Sequence, residues 1–428
     1  MNKFEPQPEF GAVRRDEALE RRGEATKLSG SATVLRQVSN KEEDRFPKTH
    51  PTSFTKGLQH DDHGLAATED YADFRDALVN AAPNMNCLDI AAGPDQRKWE
   101  SPLAGHYFTL QGPDPDAVAM APAPKLGLSE LAAEMASVYA MALTRDLTFT
   151  ELDDPAHVIP GLTMPDGATP VTVGDILADL KKLSWFDKSQ SPKGYFGAAL
   201  LPHEQRRRAA AWDDNGDLTM GTLFRGSTRG AKQGPYISQF MLLGTGNKAG
   251  TRAPEDGKII YGVQSVAQQL EVAADGIDFM TNWSDWLHVQ NGADTSKQER
   301  YPACRRVATP RDLATYVHFD ALYQAYLNAC LILLDAGVPT DGGNPIAQSR
   351  EKNSEGFATW GAPHILSLVT EVATRGLRAV RRQKFQIHRR ARPEVIAARL
   401  AQVANGHTGH MDPEAVQKIE AMLAELGH

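Results

Sequence analysis

A mainly α fold is what this sequence predicts: apolar residues recur at helical spacing over long stretches, helix start and stop signals are compact, and runs of strand alternation are sparse. Such elements, joined by loops rich in Gly and Pro, build a bundle of long helices with long connections. At 428 residues, 41% hydrophobic and 23% charged, the chain can bury one large core or two.

Residues 1–60 are polar, rich in Arg, Lys and Glu, and poor in large apolar side chains, so they predict an N-terminal arm without a core of its own, either disordered or wrapped on a neighbouring subunit. Residues 61–428 then form the helical domain. Phe74, Leu78 and Val79 suggest one helix, and Ala91 to Pro115 reads as a long loop with a short hairpin. Ser129 opens a clearer helix, with Leu131, Met135, Val138 and Ala142 on one stripe. Thr172 and Asp175 stand at capping-box spacing before Ile176, Leu177, Leu180 and Leu183.

Glycine is frequent from Lys193 to Gly257, and Pro235 can start a helix through Met241 and Leu243. Gly244-Thr-Gly-Asn-Lys-Ala-Gly250 lacks the Lys-Ser/Thr of a phosphate loop and follows no strand signal, so it reads as a plain loop. Thr309-Pro310-Arg-Asp312 is a helix start, and Gly337 then Pro339 a stop. The helix between them should be about 40 Å long and, being apolar nearly all round from Val317 to Leu334, central in the bundle. Cys87, Cys304 and Cys330 are too few and scattered for a disulfide framework or a cysteine metal site, and Cys330 fits the core. His407 and His410 flank Thr-Gly in a loop with no Cys or third His near, which argues against metal ligation.

Eight Lys or Arg residues crowd Arg375–Glu394 in a chain of net charge −8. Such a concentration argues for an anionic partner held at one place, whereas broad attraction to nucleic acid is not expected. Upstream, Ile365, Leu366, Leu368, Val369, Val372, Leu377 and Val380 recur at helical period, predicting a buried amphipathic helix that packs on the 309–335 helix. Arg392 precedes Pro393, so one helix should break there and the next begin at the proline, running to about Ala404. Lys384 near one helix end and Arg392 at the junction can converge on one oxyanion. A solvated cationic helix terminus, favoured by the macrodipole, explains the same charges.

The run Lys384-Phe-Gln-Ile-His-Arg-Arg-Ala-Arg392-Pro393 resembles the first vanadate-binding motif of the vanadium-dependent haloperoxidases, in its bromoperoxidase form, with Phe385 where that branch often has Trp. Gly112-Pro-Asp-Pro-Asp116, Pro122-Ala-Pro124, Thr222-Leu-Phe-Arg-Gly226, Gly234-Pro-Tyr-Ile-Ser-Gln-Phe240 and Trp286-Leu-His-Val-Gln-Asn-Gly292 also resemble family segments, in family order. The resemblance implies a large helical bundle and an oligomer. It also implies vanadate as cofactor, with no haem, flavin or NAD, and oxidation of halide, bromide first, by hydrogen peroxide to hypohalous acid.

By the same resemblance Lys384 and Arg392 bind the vanadate oxygens, Lys384 also polarises peroxide, and His388, Arg389 and Arg390 are candidates for supporting them. The family's Ser-Gly-His and Arg…His elements, the latter with the axial ligand, have no match in residues 393–428. The expectation is a chain that carries the first part of the site, lacks the C-terminal helices, and needs a segment encoded downstream for turnover. Two other readings stand beside it: an acid-phosphatase-like ester hydrolase, and a non-enzymatic helical assembly protein with a vestigial anion pocket.

No stretch approaches ~20 consecutive apolar residues, which argues against a membrane span. The first residues, Met1-Asn-Lys-Phe-Glu, lack an export-signal pattern, so a cytoplasmic location is the default expectation.

Overall fold

A computed structural model describes residues 8–31, 37–80, 98–109, 112–197, 199–225, 243–246, 254–339, 357 and 361–427. Its main helices are α1 (Pro8–Ser31), α2 (Thr68–Val79), α3 (Ser129–Leu143), α4 (Val173–Lys182), α5 (Trp283–Gln290), α6 (Pro310–Phe319), α7 (Gln324–Asp335), α8 (Ala362–Arg381), α9 (Pro393–Ala404) and α10 (Pro413–Glu425). Among the described residues the strands form three small antiparallel pairs: Val158–Thr163 with Pro170–Thr172, Lys258–Tyr261 with Gln264–Ala267, and Leu270–Val272 with Ala303–Arg305. The mainly α expectation therefore holds.

Local chemistry explains the helix boundaries. Thr172 and Asp175 close a capping box at the start of α4, and Thr309 and Asp312 do the same for α6. Asp312 is fully buried but receives Arg305 at 2.9 Å, so its charge is answered. Asp412 caps α10 by accepting from the Glu414 and Ala415 N–H groups.

The core is assembled from α3, α9 and α10. Leu131 and Met135 of α3 meet Val395, Ile396, Leu400 and Val403 of α9, and Ile419 and Met422 of α10. A second cluster joins the far side of α3 to α4. A third is built by Phe54, Leu58, Tyr71, Phe74, Leu78, Leu103 and Phe385.

Several expectations are corrected. The polar arm does not reach residue 60: Phe46, Phe54 and Leu58 are buried in the core clusters. Within the former arm, Pro8–Ser31 is helical.

The single helix from 309 to 337 is two, bent by 99° between Phe319 and Gln324, because Asp320 leaves the helical region. This elbow is not central. Val317, Phe319, Leu322, Tyr326 and Leu333 are exposed, so an apolar pattern all round marked an uncovered face rather than the core. Helix α8 packs on α7 and on the short turns Ala104–His106 and Pro115–Ala117, yet only Ala373 is buried, with Leu368, Val372 and Val380 exposed. No single helix among the described residues is long and apolar enough to cross a membrane.

In the described parts of the region read as a loop with a hairpin, the short turns at 104–106 and 115–117 appear and no strand. Residues 226–242, with the helix expected from Pro235, lie outside the described residues, as do Cys87 and residues 247–250.

Candidate oxyanion site

Helix α8 does not end cleanly. Its last turn opens into a π-helical stretch, Arg382–His388, that closes with the Arg389 N–H donating to the Lys384 carbonyl at 3.0 Å. Such wide turns recur at functional sites because they shift the angular phase of side chains. Here the shift sends Phe385 and Gln386 inward and leaves Lys384 outward. Phe385 is 1% exposed, and Gln386 donates to the Pro102 carbonyl at 2.8 Å. Arg389 then takes a left-handed conformation, φ 39°, which turns the chain sharply.

The next residues pair with an N-terminal segment. Ser53 lies antiparallel to Arg390, the Phe54 N–H donates to the Arg389 carbonyl at 2.6 Å, and the Ala391 N–H donates to the Thr52 carbonyl at 2.7 Å. Arg392 is extended and Pro393 is the first helical residue of α9, as the Arg-Pro sequence predicts.

The eight cations of this run then divide by task. Arg375 bonds Glu371 at 2.7 Å and Thr109 at 3.0 Å, and Arg378 lies over the Tyr107 ring. Arg389 is buried against Glu43, and Arg390 reaches Glu134 at 2.6 Å. Arg389 and Arg390, expected as supporting residues, are thus paired with Glu43 and Glu134 on either side of the motif's backbone. Burial alone would raise the Glu43 carboxyl, but Arg389, Tyr71 and Arg75 outweigh it and hold its pKa below the ordinary value.

Lys384 differs from these. It makes no ion pair among the described residues, and its ammonium lies over the rings of Phe385 and Phe54, 4.8 and 5.3 Å from their centroids. Burial against this surface pushes its pKa down, and Arg381, Arg392 and Lys56 push the same way while Glu100 opposes them. Four cations thus lie within electrostatic reach. Arg381 is answered by Glu100 at 2.9 Å, and Arg392 and Lys56 share Glu394. Lys384 and Arg392 are both exposed, so the cluster is open to solvent.

His388 sits on the same turn, but its Nε2 lies 3.2 Å from Gln383, whose amide donates to Gln37 and to the Val118 carbonyl. Its pKa is lowered by burial and by Arg389 and Arg390. That places it in a structural polar chain.

The other histidines raised by the sequence lie elsewhere. His410 stacks on His63 with centroids 3.7 Å apart at the rim of a groove of about 1210 Å³ between α3, α9 and the start of α5. No group of three or more metal-ligating side chains occurs among the described residues. Sequence reasoning missed Lys56, Phe54 and the role of Glu394, since Lys56 and Glu394 stand 338 positions apart. Nothing in their spacing signals the meeting.

The scaffold thus gathers cations around a lysine that has no ion pair among the described residues, at a helix junction. Comparison with known proteins gives the class of protein. The chain is 38% identical to a vanadium-dependent bromoperoxidase of Corallina pilulifera over 90% of its own length and 65% of that protein's. It is 37% identical to one of Corallina officinalis over 96% and 70%. A solved structure, the homohexameric second vanadate-dependent bromoperoxidase of Ascophyllum nodosum, superposes with TM-score 0.67 at 22% identity, covering 100% of this chain and 63% of that one. No family model matches. The chain belongs to the vanadium-dependent bromoperoxidase family and spans about two thirds of the length of these relatives.

Proposed function

We propose that the cluster around Lys384 binds vanadate, and that the chain serves the peroxide-dependent oxidation of halide, bromide first. The observation that carries this is Lys384 itself: an ammonium without a carboxylate partner among the described residues, set on two aromatic rings and beside three further cations. Its cationic neighbours repel it and no carboxylate among the described residues pairs with it, so an anion there would be attracted.

The donor set suits a compact tetrahedral oxyanion. Lys384 offers a point charge, and Arg392, bonded to Glu394 through Nε, keeps the outer edge of its guanidinium for oxygen atoms. Bound vanadate would supply a Lewis-acidic centre that activates hydrogen peroxide toward halide without changing its own oxidation state. Lys384 and Arg392 would hold its oxygens and balance their charge.

A histidine nitrogen to help hold vanadate would not come from the cluster. His388 is tied to Gln383, His407 and His410 belong to the groove, and no Ser-Gly-His sequence occurs in the 428 residues. We infer that turnover needs a histidine donor other than those of the cluster, and that the working protein is a homo-oligomer.

The test is a vanadate titration of the purified chain by calorimetry and vanadium-51 resonance. It is followed by bromination of a phenolic dye and by hydrolysis of a phosphate ester. Vanadate uptake lost in Lys384→Gln supports the reading. Ester hydrolysis without vanadate uptake overturns it.

A further inference from the structure

Resting on that oxyanion reading, we propose that Lys56 is a third cationic contact to the bound anion, and that Glu394 is the positioning residue that sets Lys56 and Arg392 side by side. The two cations approach from opposite ends of the chain. One carboxylate oxygen, Glu394 Oε1, accepts from Arg392 Nε at 2.7 Å and from Lys56 Nζ at 3.2 Å. Lys56 also contributes to the electrostatic pressure on Lys384. Glu394 thus joins Lys56 and Arg392, while Lys384 stands near them over Phe54 and Phe385 with no ion pair among the described residues.

The segment that carries Lys56 is held in place. It is zipped onto the motif by the backbone bonds from Phe54 to Arg389 and from Ala391 to Thr52. Phe54 and Lys56 stand either side of Thr55, whose carbonyl accepts from the Leu58 N–H at 3.0 Å in a turn: the Phe54 ring lies beneath the Lys384 ammonium while Lys56 reaches Glu394.

Beyond them the chain is locked. The Trp99 indole N–H donates to the Lys56 carbonyl at 2.8 Å, and the Gly57 N–H donates to the Gln290 carbonyl at 2.7 Å. Gly57 has φ +95°, and a Cβ there would lie 2.8 Å from Trp99 Nε1.

Glu394 is placed for the second task. Its side chain is 16% exposed, and its own carbonyl accepts from the Trp286 indole at 2.9 Å, which anchors the start of α9. Burial alone would raise its pKa, yet Arg392 and Lys56 outweigh burial and keep it below the ordinary value. It therefore stays a carboxylate at neutral pH, behind the two cations and joined to both.

The experiment is an orthovanadate titration of the 428-residue chain and its Lys56→Gln, Lys56→Arg, Glu394→Gln and Lys56→Gln/Glu394→Gln variants, read by calorimetry and vanadium-51 line shape. Circular dichroism melting of each checks the fold. A charged hydrogen bond to the guest corresponds to roughly 10- to 100-fold in affinity. Lys56→Gln should therefore weaken binding at least about tenfold, Lys56→Arg should recover part of it, and Glu394→Gln should weaken binding with no further loss on adding Lys56→Gln.

Equal affinity in wild type and Lys56→Gln, while Lys384→Gln loses binding, overturns the role of Lys56 and leaves the oxyanion reading intact. Additive losses from Glu394→Gln and Lys56→Gln overturn the positioning role. No vanadate uptake by the folded wild-type chain overturns both readings.

Discussion

Phe385 meets Phe54 edge to face, ring centroids 5.7 Å apart at 87°, and this contact seats the π turn that carries Lys384 on the core. Phe385 is buried among Phe54, Phe74 and Leu103. Its replacement by Ala removes a whole ring and leaves a cavity, which costs about 3–5 kcal/mol. The expected result is a lower urea midpoint at unchanged slope, together with loss of vanadate uptake. A change below about 0.5 kcal/mol would show that the turn does not depend on the ring.

The second prediction concerns the pair beneath the motif. Arg389 and Glu43 have side chains only 8% and 14% exposed, and Tyr71 adds a hydrogen bond to the carboxylate at 2.7 Å. Breaking such a pair strands a buried charge, at about 3–5 kcal/mol. Glu43→Ala should therefore destabilise far more than Glu134→Ala, whose partner Arg390 is about one third exposed. Urea unfolding of the two variants side by side decides it, and equal effects would refute the structural division of the two arginines.

The segment that bears Lys56 also carries two buried histidines, which makes its anchoring sensitive to acid. Burial pushes both His50 and His60 down to about 4. Between that value and the unfolded value near 6.5 the unfolded chain binds more protons than the folded one, so stability falls as pH drops through this window. Each histidine contributes on the order of 3 kcal/mol of that loss. Chemical denaturation at about pH 7 and about pH 4.5 measures it. His60→Gln, which can still meet Thr55 and Asn291, should flatten part of the slope.

What was legible in the sequence is what neighbours decide. The Thr172–Asp175 and Thr309–Asp312 boxes and the Arg392-Pro393 break each involve residues a few positions apart, and each stands where spacing puts it. The π turn, the α6–α7 elbow and the burial of Phe46 to Leu58 depend on distant partners. Arg389 and Glu43 are separated by 346 positions, and no local pattern joins them. Apolar periodicity also could not tell a core helix from one whose apolar face stays exposed, as Leu368 and Val372 of α8 do. Leu327 and Leu331, expected deep in the core, are half-buried, so their replacement by Ala should cost less than the roughly 2–5 kcal/mol of a fully buried site.

The last prediction follows from the charge state of Lys384. Burial over Phe54 and Phe385, with Arg381, Arg392 and Lys56 near, holds its pKa below the ordinary 10.5, so the ammonium gives up its proton at lower pH than a solvated lysine does. An anion bound against it favours the charged form and raises that pKa again. Binding must therefore take up a proton in the window between the free and bound values, and affinity must fall as pH rises through the free value. Arginine stays charged throughout, so Lys384→Arg should lose this dependence while keeping an attraction for anions. Comparing wild type with Lys384→Arg at each pH cancels the titration of vanadate itself. Calorimetry in two buffers of different ionisation heat reads the proton uptake directly. Parallel affinity profiles for the two proteins as pH rises, with equal proton uptake, would show that the Lys384 ammonium does not touch the anion.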